Sequence, residues 1–230
     1  MLNQFIIKFK KLKSFTKFKI RPIKYFFEKQ KSKNSYRGIS DKNKKIEYFK
    51  HFSEADKKTT WDSSIFSELI EKEINKIDDL IIVELGVARG GTVKYTLDKF
   101  GKRIKKYIGI DPYLSRYDKY DQMSYMSDEG MEYLYLYVLN KIQNTNFQLL
   151  RTSSQLAAQS FADNSVDAIY IDGDHTYEAV KKDIILWQKK ISTGGIIVGD
   201  DYKRFEGVKK AVNESFEEFN VIQNTWFKKF

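Results

Sequence analysis

The stretch Ile169-Tyr-Ile-Asp-Gly-Asp-His-Thr-Tyr177, followed by Gly194-Gly-Ile-Ile-Val-Gly-Asp-Asp201, constrains the fold more than any other part of the chain. From Asp167 to Asp172 a short apolar run rich in β-forming residues is broken by Gly173. Asp174 or Thr176 can then cap a helix that carries Ala179, Val180, Ile184 and Trp187. Gly194 and Gly195 punctuate before Ile196, Ile197 and Val198, a second buried strand that ends at Asp200 and Asp201. Strands joined through a helix run parallel, so both acidic ends fall on one edge of a sheet. In open α/β folds that edge is where ligands bind.

Cysteine is absent, which excludes disulfides, thiolate metal sites and thiol nucleophiles. With only His51 and His175, a histidine-rich metal centre is excluded too. The net charge of +10 is unevenly placed: residues 1–50 hold 16 Lys and Arg against 3 Asp and Glu, and the remainder is mildly acidic. Basicity is therefore a property of an N-terminal arm, and nucleic acid is not the expected partner of the rest. Within the arm Phe5, Phe9, Leu12 and Phe15 recur at helical spacing among lysines, the pattern of a basic amphipathic helix on an anionic membrane surface. The same aromatics could equally pack on the domain or on a second subunit. Peripheral membrane contact through residues 1–30 and a homo-oligomer are thus both open expectations. Lys29–Lys45 reads as a flexible linker, so the expected division is 1–50 as arm and linker and 51–230 as the folded domain. No apolar run approaches the roughly 20 residues of a membrane span. Lysines interrupt the N-terminal apolar residues, leaving no signal-peptide core. The expected location is cytoplasmic, or peripheral at the inner membrane face.

Elements alternate along the rest of the chain. A helix is predicted over 61–76, a strand over Leu80–Glu84, a helix over Thr92–Phe100 and a strand over Lys106–Asp111. A tyrosine-rich loop with Tyr113, Tyr117, Tyr120, Met123, Tyr125 and Met126 is a candidate lid. Beyond it come a helix over Glu129–Ile142, a strand over Phe147–Arg151, a short helix from Ser154, the strand–helix–strand unit, and a last helix over Phe205–Phe219. Strict alternation implies an α/β, Rossmann-like doubly wound, mostly parallel sheet with helices on both faces.

At the first strand end stands Glu84-Leu-Gly-Val-Ala-Arg-Gly-Gly91, whose glycines permit a sharp turn and a close backbone approach to a ligand. The second strand ends at Asp111, where a carboxylate can accept both hydroxyls of a ribose. Together these describe a site for an adenosine-containing cofactor. The dinucleotide spacing Gly-x-Gly-x-x-Gly is not present, which speaks against a nicotinamide dehydrogenase.

Glu-x-Gly-x-x-x-Gly resembles the first motif of class I S-adenosylmethionine-dependent methyltransferases. With Ile108-Gly-Ile-Asp-Pro-Tyr113, Ile171-Asp-Gly-Asp-His-Thr-Tyr177 and Gly194-Gly-Ile-Ile-Val-Gly-Asp-Asp-Tyr202, the chain resembles the metal-dependent O-methyltransferases of small molecules and sugars, the macrolide-sugar enzymes among them. The resemblance implies that Glu84, Gly86 and Gly90 shape the pocket for the methionine part of S-adenosylmethionine, and that Asp111 holds the ribose. It puts Asp172, Asp200 and Asp201 on a divalent metal. Asp174 matches the general base of the sugar enzymes, and His175 stands where catechol-type relatives place a lysine base. Ser154 falls on the cofactor side, but Thr152-Ser153-Ser154 departs from the Gly-Asp-Ser of relatives, whose acid lies near the adenine. Only Phe219–Phe230 follow the last predicted helix, so the antiparallel strand pair that closes the family sheet is expected to be incomplete or supplied by another subunit.

The chemistry expected is methyl transfer to a hydroxyl of a sugar or other small molecule. Hard oxygen ligands favour Mg2+, with Mn2+ or Ca2+ as alternatives, and Asp174 or His175 takes the proton. The rival readings are a nucleic-acid methyltransferase, given the basic arm, and a non-catalytic protein of the same fold that docks on a membrane or a partner.

Overall fold

The computed structural model describes residues 41–58, 64–76, 78–118 and 123–230. The expected helix through Phe5–Phe15, and Tyr120 of the candidate lid, lie outside them, as does the side chain of Met123. The chain divides into Met1–Lys44 and a compact unit Lys45–Phe230.

Chain order gives α1 (Asp41–Lys58), α2 (Ser64–Glu73), β1 (Leu80–Leu85), α3 (Gly91–Phe100), β2 (Ile104–Ile110), α4 (Asp128–Lys141), β3 (Phe147–Leu150), α5 (Ser154–Ala157), β4 (Val166–Ile171), α6 (Tyr177–Trp187), β5 (Ile191–Gly199), α7 (Glu206–Ser215), β6 (Asn220–Ile222) and β7 (Thr225–Lys229), with short 3-10 turns between. The sheet order is β3-β2-β1-β4-β5-β7-β6. β1 to β5 pair in parallel, and β7 runs antiparallel to both β5 and β6. This is the doubly wound sheet that the alternation predicted.

Each central strand is buried on both faces, and its side chains alternate between two cores. Along β4, Ala168 and Tyr170 face the helices α1 to α4, and Ile169 and Ile171 face α5 to α7. Ile196 and Val198 of β5 follow the first pattern and Ile197 the second. Burial on both sides is why residues 80–83, 168–171 and 196–198 read as apolar runs without a polar phase.

Three expectations are corrected. The supposed linker is helical from Asp41, because Tyr48, Phe49 and Phe52 bring apolar rings against Tyr133 and Tyr137 of α4. Gly194 and Gly195 lie inside β5, where Gly194 takes a positive φ of 81° and its N–H donates to Phe230 O. The sheet edge is complete within one chain: β6 and β7 form a hairpin, Ile222 pairing with Thr225 across Gln223-Asn224. Trp226, fully buried, pairs with Gly199 of β5.

Candidate active site

Register places the site. Leu85 of β1 is level with Ile171 of β4, and Ile171 with Gly199 of β5, so Gly86, Asp172 and Asp200 emerge side by side. Backbone bonds carry the alignment past the strand ends: Asp172 N–H donates to Leu85 O at 2.8 Å and Asp200 N–H to Ile171 O at 3.2 Å. The approach is close enough that a Cβ on Gly86 would sit 2.0 Å from Asp172 O, and Gly86 has φ +90°. Only glycine fits there.

Around this edge lies an open cleft of about 720 Å³, its mouth included, lined by residues such as Gly86, Asp111, Tyr113, Ser154, Asp172 and Asp174. Asp111 Oδ2 accepts the backbone N–H groups of Val87 and Ala88, both at 3.0 Å, and its Oδ1 accepts that of Tyr113 at 2.8 Å. The carboxylate thus ties the glycine-rich turn to the end of β2. Ala88 and Tyr113, both lining the cleft, hold positive φ, at 46° and 47°.

Two predicted cofactor residues stand behind the cleft and do not line it. Glu84 is buried and accepts the Tyr107 hydroxyl at 2.5 Å; burial pushes its carboxyl well up, and the charges of Asp172 and Asp111 add to the rise. Gly90, at φ +70°, opens α3 and lets Ile142 and Val138 pack where a Cβ would clash. Both shape the turn from beneath. Ser154 does line the cleft, and its hydroxyl donates to Asp183 Oδ1 at 2.6 Å, the oxygen that Gln155 Nε2 also reaches at 2.9 Å. Asp183 is a buried acid that sequence reading passed over. Its signal was a carboxylate set beside the apolar stripe Val180, Ile184, Trp187 of α6. Burial pushes it up to about 6, against the opposing Ser154 and Gln155 hydrogen bonds.

The acidic ends meet on an imidazole. His175 is 9% exposed, and its Nδ1 lies 2.5 Å from Asp118 Oδ2, which also accepts the His175 backbone N–H at 3.1 Å. Its Nε2 is 3.1 Å from Asp201 Oδ2 and 3.8 Å from Asp172 Oδ1. The first is an ion-pair contact without hydrogen-bond alignment and the second lies beyond hydrogen-bond distance, so Nε2 is a buried nitrogen without a hydrogen-bond partner. Ligand atoms of Asp172, His175 and Asp201 lie within 4.8 Å of one another, a spacing that could hold a cation. Asp200, expected in that set, turns instead to the β6–β7 hairpin, where Thr225 Oγ1 is 3.2 Å from its Oδ1. Asp174 lines the cleft; its Oδ1 accepts the Thr176 N–H at 2.8 Å, and Thr176 is the residue that caps α6.

Packing acids together shows in their titration. Burial and the charges of Asp200 and Asp201 push Asp172 up to about 7 despite the opposing His175 contact. Burial depresses His175, but Asp118, Asp172 and Asp201 outweigh it and push the imidazole up to about 12. Burial raises Asp201 as well, yet the His175 contact, with Arg204 and Asn224, holds it below the usual carboxylate range. Asp118 is 3% exposed and was missed, because nothing in a polar loop signals a partner 57 residues away.

A family model described as a methyltransferase domain matches residues 83–202. An uncharacterised protein, R132, of Acanthamoeba polyphaga mimivirus is 33% identical over 144 residues, 60% of this chain and 59% of its own length. The chain thus spans under two thirds of that relative. Among solved structures, the O-methyltransferase NovP is similar with a TM-score of 0.57 at 18% identity, covering 73% of this chain and 78% of its own. The calicheamicin methyltransferase CalS11 is similar with a TM-score of 0.55 at 12% identity, covering 84% and 95%. At such identities the likeness shows the fold. With the family model running from the end of β1 to the residue after Asp201, the chain belongs to the methyltransferase-domain family, with the fold of the class I S-adenosylmethionine-dependent enzymes.

Proposed function

We propose that the protein transfers a methyl group from S-adenosylmethionine to a hydroxyl oxygen of a sugar or other small molecule, assisted by a divalent cation. The observation that carries this reading is a single cleft lined together by the glycine-rich turn at Gly86 and Ala88, by Asp111 and Ser154, and by Asp172 and Asp174. The sugar is favoured as acceptor because CalS11, of similar fold, is described as a TDP-rhamnose 3'-O-methyltransferase.

The residues present fit both groups. Gly86 lines the cleft where it packs against the Asp172 backbone, and Leu85, Ile110 and Leu134 offer apolar walls. Asp111 lines the cleft at the end of β2, where its carboxylate could accept a ribose hydroxyl. For the cation, the buried Nε2, which has no hydrogen-bond partner, and the carboxylate oxygens of Asp201 and Asp172 that face it supply a donor set. A bound divalent cation would acidify the acceptor hydroxyl and fix its direction. The chain's own part is to hold the acceptor close, exclude water and take one proton, at Asp174, or at His175 only if that imidazole does not hold the cation. The carbon–oxygen bond forms as the carbon–sulfur bond breaks, its electron pair staying on sulfur, and the hydroxyl proton passes to the base.

Calorimetry with S-adenosylmethionine, followed by mass spectrometry of reactions that offer a deuterated methyl donor to nucleotide sugars, phenols and oligonucleotides, tests this. Binding with label on a sugar or phenol is expected; label on the oligonucleotide alone, or no donor binding, would overturn it.

A further inference from the structure

The cluster around His175 differs from an all-carboxylate site in one particular: the imidazole is built as a ligand would be. Its Nδ1 is engaged by Asp118 Oδ2 at 2.5 Å, an oxygen that also holds the His175 backbone N–H. The ring packs on Phe205 with centroids 4.5 Å apart, which fixes its plane. That leaves Nε2, sealed from solvent, facing Asp201 Oδ2 and Asp172 Oδ1. Metal-bound histidines commonly donate their second ring N–H to a carboxylate, and this outer contact sets tautomer and direction. Asp201 is braced the same way: its Oδ1 accepts Asn224 Nδ2 at 2.8 Å, and Oδ2 turns to the imidazole. Asp200 Oδ1 meets Thr225 Oγ1 at 3.2 Å and Asn224 Nδ2 at 3.5 Å, and Asp200 is not among the three residues whose ligand atoms converge.

We propose that the divalent cation is held by Asp172, His175 and Asp201, with Asp118 as the outer carboxylate that orients the imidazole and with Asp200 outside the ligand set. This set refines the reading above, since it concerns the same cleft. Two consequences follow. One imidazole among oxygens shifts preference away from Mg2+ and Ca2+ toward first-row cations such as Mn2+ or Zn2+. A nitrogen closed off from the cleft cannot reach an acceptor hydroxyl, so the proton-accepting role falls to Asp174, which lines the cleft.

The test is binding and spectroscopy of Mn2+ on the full chain, with no methyl donor or acceptor present. Electron spin-echo modulation of the Mn2+-loaded wild type should show one directly coordinated nitrogen, and the coupling should change with 15N-histidine labelling. With only two histidines in the chain, His51→Gln should keep that coupling and His175→Gln should lose it. Asp118→Asn should weaken Mn2+ binding by about 10-fold or more. Asp200→Asn should leave affinity within about 3-fold of wild type, and Mg2+ should compete poorly. Mn2+ bound without nitrogen coupling, no Mn2+ binding to the wild type, or an Asp200→Asn loss as large as that of Asp172→Asn would each overturn the ligand set. The wild-type spectrum needs no variant to fold. Titration of S-adenosylmethionine on the same preparation separates the two readings: donor bound with no nitrogen coupling sinks the ligand set alone, and coupling without donor binding sinks the methyl-transfer reading alone.

Discussion

At the scale of single residues, the site is a problem of close approach. An alanine at position 86 would bring its Cβ to 2.0 Å from the Asp172 carbonyl at a φ of +90°, so the ends of β1 and β4 would have to part. Gly86→Ala is expected to cost roughly 3 kcal/mol or more, from strained backbone and lost packing, and a lower urea midpoint with weakened donor binding would show it. Asp183 supplies a pH-dependent counterpart. Burial raises its folded value from 3.8 to about 6, so its contribution to stability is full below about pH 4 and is lost as pH rises through 6. Asp183→Asn keeps an acceptor for Ser154 and removes the titration. Unfolding measured at pH 4, 5, 6 and 7 should therefore give a flatter profile for the variant, the difference amounting to about 3 kcal/mol. Asp172, Asp174 and Asp201 were legible because each follows a readable strand end. Asp118 and Asp56 were not, because their partners lie in other elements and spacing along one chain carries no trace of them.

Elements show the same division between local and distant information. β1, β4 and β5 could be read because burial on both faces leaves the apolar runs 80–83, 168–171 and 196–198, whereas β6 and β7 have 3 and 5 residues and no run of that kind. Their hairpin did carry a signal, a two-residue turn Gln223-Asn224 between apolar pairs. The hairpin matters because β7 covers the edge of β5, and Gly199 has no side chain because the Trp226 indole occupies that space, within 2.4 Å of where a Cβ would be. Trp226→Ala should cost about 3–5 kcal/mol and leave the β5 edge exposed to pairing with other chains; a lower melting temperature with concentration-dependent aggregation is the expected pair of observations. α1 plays a comparable part on the opposite side of the fold. Its Asp56 holds Arg89 at 2.8 Å, Lys141 at 2.6 Å and the Tyr137 hydroxyl at 2.7 Å, so one half-buried acid fastens the glycine-rich turn to α4. Burial raises Asp56, but Lys141, Tyr137 and Arg89 together hold it below the usual carboxylate range. Asp56→Ala leaves Arg89 and Lys141 facing each other and should weaken donor binding in calorimetry by several-fold with the cleft residues untouched.

Across the whole molecule, charge is segregated by position in the chain. Residues 1–40 hold 12 Lys and Arg against a single acid, and residues 41–230 hold 29 against 30. A fold so nearly neutral gains little from long-range attraction to anionic surfaces, whereas basic side chains near an anionic bilayer contribute about 1 kcal/mol each. No described helix is long and apolar enough to cross a membrane, so any attachment would be at the surface. The interleaved Phe and Ile of the first 40 residues add apolar area to that charge. The full chain should therefore co-sediment with vesicles containing phosphatidylserine and not with phosphatidylcholine alone, and the chain 41–230 should stay in the supernatant with both. Salt separates the two contributions. Raising ionic strength toward 1 M shortens the screening length to about 3 Å, which should release a chain held by charge and leave part of the binding where aromatic side chains have entered the lipid. If 41–230 binds as well as the full chain, the contact lies on the folded unit, and the basic segment serves something other than a lipid surface.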